Sequence, residues 1–123
     1  MRSGEVGLEK NDEGYTVVAI NGEHDLSTAP GLRSRLEQLI ADGDPVVVDL
    51  SAATFIDSSI LGLLLQASRD AGEAGVGFAV AQADGAEAVR RVLEITGLRK
   101  DLPVHPSRDE ARAQALGATG APP

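Results

Sequence analysis

The 123-residue chain contains no cysteine, only two histidines and two lysines, and no long apolar run. Each absence closes a class of chemistry. Without cysteine there is no disulfide, no thiolate nucleophile and no cysteine-ligated zinc. With only His24 and His105 in the chain no metal site is expected, and a lone histidine is more often structural than a ligand. The lysines, Lys10 and Lys100, lie outside any glycine loop, and no Gly-x-x-x-x-Gly-Lys-Ser/Thr occurs, so the chain has no P-loop. No stretch approaches the ~18 apolar residues of a bilayer-spanning helix. The amino terminus has no apolar run behind its first residues, so no signal peptide is expected and a cytoplasmic location is the default. Basic residues are outnumbered: 11 Lys and Arg face 19 Asp and Glu, a net charge of −8. That balance argues against direct binding to nucleic acid or to an anionic membrane, and its simplest role is solubility.

What the chain does have is one stretch that organises the rest, VVVDLSAATFIDSSILGLLL at residues 46–65. Val46, Val47 and Val48 follow Gly43-Asp44-Pro45 and form a β-branched run, the pattern of a strand buried on both faces. Residues 52–56 are expected to be a loop. Asp57, Ser58 and Ser59 then stand directly before Ile60–Leu65, which is helical in pattern. Asp and Ser at such a place accept hydrogen bonds from the unpaired N–H groups of a helix start. One cap suffices, yet three candidates stand in a row. The helix is apolar over so much of its girth that the sheet can cover only one side. Another helix or a partner protein must cover the other. A hydroxyl beside a docking face is a place where a phosphate acts as a switch.

The remaining elements follow from pattern. Residues 5–9 and 15–20 read as two strands of a hairpin around the turn cluster Asn11-Asp12-Glu13-Gly14, and Asn21-Gly22 breaks the second. Ser27 or Thr28 caps a helix with Pro30 in its first turn, and Leu32, Leu36, Leu39 and Ile40 give it an apolar stripe. Residues 76–81 form a further strand. Residues 85–96 carry Val89, Val92 and Leu93 at helical spacing, with Arg90 and Arg91 on a solvated face. Residues 103–105 form a short last strand. Ser107 caps a final helix with Asp109 and Glu110 in its first turn, and residues 118–123 are a Gly/Ala/Pro tail expected to be disordered. The order β-β-α-β-α-β-α-β-α predicts a single α/β domain with a mixed sheet of about five strands, helices mainly on one face and right-handed crossovers between parallel neighbours.

The 46–65 stretch, together with Asn21-Gly22-Glu23-His24-Asp25, resembles the central motif of the STAS family, the anti-sigma factor antagonists. The similarity extends over roughly residues 5–117. In that family the first serine of Asp-Ser-Ser is phosphorylated, which implies Ser58 here and leaves Ser59 as the lesser candidate. His24 stands where the family often has an apolar residue. Ile60 stands where it usually has glycine, which bears on the kinase or partner that fits. The resemblance also places Asp25 near the phosphorylation loop, orienting a hydroxyl or contacting a partner; Asp25 supporting its own turn is the simpler alternative.

Catalysis is not expected. Ser58 is flanked by Ile56 and Ile60 where a Gly-x-Ser-x-Gly elbow has its glycines. The resemblance implies a binding module that frees a sigma factor by binding an anti-sigma factor, typically a serine kinase. The kinase phosphorylates Ser58, and a phosphatase restores it. ATP and magnesium then belong to the kinase, and the chain itself has no cofactor. Asp25, Asp57, Ser58, Ser59, Ile60 and Leu63 are the expected partner surface, on a monomer or weak dimer. A ligand-binding or scaffold module of a stress complex, or a transporter accessory, is the alternative.

Overall fold

Val46, Val47 and Val48 are wholly buried, because their strand lies mid-sheet with helices on both sides. The computed structural model describes residues 4–10, 13–82, 87–96, 102 and 104–118. In chain order these form β1 (Glu5–Lys10), β2 (Thr16–His24), α1 (Ala29–Ala41), β3 (Val46–Asp49), β4 (Ala53–Ile56) and α2 (Ser58–Ala74). Then come β5 (Phe78–Ala81), α3 (Glu87–Thr96), β6 (Val104–His105) and α4 (Arg108–Ala118). The sheet runs β1-β2-β3-β5-β6, with β1 antiparallel to β2 and the other neighbours parallel.

Strand register sorts the side chains into two cores. Val18, Val48 and Val80 lie side by side across β2, β3 and β5 and face the main core with α1, α2 and α3. Val17, Val47 and Ala79 form the adjacent row and face the opposite side. That second face is covered by α4, whose Ala111 and Ala115 are its buried apolar residues among those described. The stripe expected on α1 is buried as read: Leu32, Leu36, Leu39 and Ile40 all enter the core.

The sheet has six strands rather than about five, and the difference lies in β2 and β4. The 52–56 segment, expected as a loop, contains a four-residue strand paired to β2. Its burial pattern puts Ala53 and Ile56 inside and Thr54 and Phe55 outside, so no period-2 alternation marks it. Nor do Asn21 and Gly22 end β2. Gly22 takes φ +80°, open to glycine, and the register shifts between Gly22 and Glu23. That irregularity lets β2 leave β3, paired along Thr16–Ala19, and pair with β4 over Gly22–His24.

Helix ends follow local chemistry. α2 starts at an Asp57 cap and stops at Gly75 in the left-handed conformation, φ +73°. Before α4, the Ser107 hydroxyl accepts from the Glu110 N–H at 3.1 Å and lies 3.4 Å from the Glu110 carboxylate. α4 continues to Ala118, so the helix passes the expected boundary of the tail, and the tail beyond lies outside the described residues. The same holds for the turn at 11–12 and for the expected end of α3 at 97–98.

Candidate functional site

β2 and β4 end together. His24 stands opposite Ile56 in a parallel pair, so the residues that follow, Asp25 and Asp57, leave the sheet side by side. Each then makes the same turn. The Asp25 carboxylate accepts the Ser27 N–H at 2.9 Å and the Ser27 hydroxyl at 2.6 Å. The Asp57 carboxylate accepts the Ser59 N–H at 3.0 Å and the Ser59 hydroxyl at 2.5 Å. Asp57 takes the Ile60 N–H as well, at 3.2 Å, and so caps α2. The hydrogen bonds from Ser27 hold the Asp25 carboxyl below its usual range.

The middle residue of each turn projects into solvent. In the second turn it is Ser58, exposed at the first position of α2, whose hydroxyl has no partner among the described residues. Ser59 is half-buried, and its hydroxyl is spent on Asp57. In the first turn it is Leu26, 73% exposed. Phe55, next to Ile56 on β4, is 43% exposed. Neither Leu26 nor Phe55 was expected at the site, although the repeated Asp-x-Ser spacing at 25–27 and 57–59 was there to be read.

His24 is structural. It is 1% exposed, and its Nε2 lies 3.1 Å from the Asn21 carbonyl and 3.3 Å from the Glu5 carbonyl. Two acceptors flank that nitrogen, so it carries the hydrogen and donates. Nδ1 lies 3.0 Å from the Thr28 hydroxyl, which also accepts the Asp25 N–H at 3.1 Å. Thr28 is therefore the N-cap of α1 by position, but its hydroxyl makes no cap bond and serves the turn instead.

Two of the expected surface residues are in the core. Ile60 is 0% and Leu63 4% exposed, both packed in the main cluster. The cap at Asp57 sets the rotation of α2, and that rotation turns positions 60 and 63 toward the sheet and α1. The outward face runs instead through Ser58, Gly62, Gln66 and Arg69. Beside Gly62 and Gln66 a groove of about 340 Å³ separates α2 from α1.

Among the described residues no helix is long and apolar enough to cross a membrane, and no cluster of three acidic or histidine side chains is placed to hold a metal ion.

Residues 8–111 match the model of the STAS domain family. The chain is similar to the anti-sigma-F factor antagonist RsfB of Mycobacterium tuberculosis, 38% identical over 88 residues, which are 71% of this chain and 70% of the relative. The crystal structure of an anti-sigma factor antagonist from Mycobacterium paratuberculosis superposes with TM-score 0.80 at 35% identity, covering 93% of this chain and 95% of that one. SpoIIAA, an anti-sigma factor antagonist in its unphosphorylated form, shares the fold at TM-score 0.67 and 18% identity, over 91% of this chain and 97% of its own. The sheet order, the paired turns and the matched residues lead to one conclusion: this chain belongs to the STAS domain family.

Proposed function

We propose that this protein is an anti-sigma factor antagonist acting in the cytoplasm, and that phosphorylation of Ser58 switches it off. It is a regulator rather than an enzyme. Its partner is an anti-sigma factor of the serine kinase type, whose ATP and magnesium serve the transfer, and a phosphatase reverses it. The two mycobacterial relatives above 30% identity carry the antagonist name, and the net charge of −8 disfavours acting on nucleic acid directly.

The observation that carries the reading is the division of labour between two adjacent serines. The Ser59 hydroxyl is held by Asp57, while the Ser58 hydroxyl is exposed and unengaged among the described residues. A kinase therefore finds one free acceptor at the entrance of α2. Phosphate there adds about −1.5 to −2 charge. The helix dipole favours it by roughly 0.3–1 kcal/mol. Asp57 opposes it, having already taken the N–H groups of Ser59 and Ile60. The two effects nearly cancel, so folding is spared. At a protein interface the balance differs, because juxtaposed like charges cost several kcal/mol. At about 1.4 kcal/mol per decade, two to three decades of affinity are lost.

The test is Ser58→Asp binding to the anti-sigma factor by calorimetry. Affinity at least about a hundredfold weaker than the parent, with an unchanged melting curve, is expected. A folded Ser58→Asp that binds as tightly as the parent overturns the switch.

A further inference from the structure

We propose that Gly62 is a close-approach point, where a main-chain segment of the anti-sigma factor lies directly against α2 one turn beyond Ser58. This rests on the antagonist reading above and names the surface that the partner covers.

Gly62 is the fifth residue of α2 and is exposed. Glycine in a helix interior sacrifices stability relative to alanine, because it loses more backbone freedom on folding and gains no contact. Nothing among the described residues offsets that loss. A Cβ built at Gly62 meets no atom within 4 Å, so packing does not forbid a side chain. Its φ is not positive, so the backbone does not require glycine either. The other glycines in described helices stand near an end, where glycine costs least: Gly31 is third in α1, Gly72 third from the end of α2, and Gly117 next to last in α4. Gly62 alone among them is placed mid-helix with no internal reason.

Its neighbourhood supplies an external one. Ser58 and Gly62 are spaced i, i+4 and share a face, about 6 Å apart along the helix axis. A protein that delivers a phosphoryl group to the Ser58 hydroxyl covers a surface that near. Gly62 also forms one lip of the groove between α1 and α2. Leu36, Leu63 and Ala67 floor that groove, and Arg33, Gln66 and Asp70 rim it. A bare backbone at position 62 leaves the groove open toward Ser58. The matching occupant is an extended segment of the partner, with a carbonyl facing the Arg33 guanidinium, since the Gln66 amide already donates to Asp70 at 2.9 Å, and a small apolar side chain over the floor. A side chain at 62 would hold that segment away from the helix.

The expectation has opposite signs in two measurements on the full-length chain, which makes it separable from a structural role. Gly62→Ala should raise the melting temperature by roughly 2–6 °C, from helix propensity. The same variant should bind the purified anti-sigma factor at least about tenfold more weakly, with Gly62→Leu weaker again. Gly72→Ala is the control: a gain in melting temperature with parental affinity. Gly62→Ala that binds as tightly as the parent overturns the proposal. A parent protein that fails to bind any anti-sigma factor overturns instead the antagonist reading on which it rests, so the two failures are distinct.

Discussion

His24 and Ile56 face each other across the only stretch where β2 pairs with β4. The exposed residues Leu26, Phe55 and Ser58 are placed by that pairing. It aligns the starts of two Asp-x-Ser turns, and it sets Leu26 and Ser58 on neighbouring strand ends. The buried His24 ring then ties the turn at Thr28 back to Glu5 of β1 and to the Asn21 carbonyl, just before the register shift of β2.

Replacing His24 by leucine keeps most of the volume but leaves the Asn21 and Glu5 carbonyls without their donor. Unsatisfied buried groups cost about 1–3 kcal/mol each, and the two carbonyls share one nitrogen, so the lower half of that range is expected for His24→Leu. Urea denaturation gives the total. Amide exchange should quicken at β1 and at residues 25–28 before it does in β3; uniform quickening would contradict the tie described here.

Asp57 caps α2 and, on the proposed reading, also leaves Ser58 as the acceptor for the kinase. Asp57→Ala removes the cap of α2 and should cost about 1 kcal/mol. It also releases the Ser59 hydroxyl. After exposure to the kinase, tandem mass spectrometry should find phosphate at Ser58 in the parent and at both serines in Asp57→Ala. Equal labelling of both serines in the parent would show that the Asp57 bond does not select.

Ile60 is a core residue, and its replacement should read out as such. Ile60→Ala removes a fully buried side chain and should cost about 2–5 kcal/mol. Affinity for the anti-sigma factor, measured where the variant is fully folded, should stay within about threefold of the parent. A stable Ile60→Ala that binds poorly would return Ile60 to the interface.

On the far face, ion pairs add to the buried contacts that Ala111 and Ala115 of α4 make with the sheet. The Arg108 guanidinium contacts Asp49 at 2.5 Å and Glu9 at 3.3 and 3.4 Å, and Arg112 reaches Glu13 at 3.2 Å. Burial pushes the Asp49 carboxyl up, but the Ser51 hydrogen bonds and Arg108 outweigh it and leave the group below its usual 3.8. A carboxyl depressed in the folded state contributes stability above the unfolded value, and the contribution is lost as pH falls through the folded value. Stability should therefore decline below about pH 4, from 3.8 downward. Arg108→Met should lower stability at pH 7 by about 1 kcal/mol, since Arg108 is half exposed. It should also flatten the acid decline below about pH 4. An acid limb as steep as the parent's would mean that Arg108 does not hold Asp49 ionised.

Much of this architecture was legible because it depends on neighbours in the chain. Three valines in a row bury a strand on both faces, Leu32, Leu36, Leu39 and Ile40 share one side of any helix, and Ser107 with Glu110 closes a cap three residues long. The aspartate and serines at 57–59 mark a helix start by the same local logic. Tertiary structure decided the rest, because the deciding partner was distant. β4 is a strand only because β2 bends at Gly22 to meet it, and no periodicity within four residues announces that. Ile60 and Leu63 are apolar wherever they point; only the sheet and α1 settle that they point inward and that Gly62 points out. Composition and local spacing thus determine which segments fold and where their ends lie, whereas the free hydroxyl at Ser58 and the bare backbone beside it exist only once separate strands have come together.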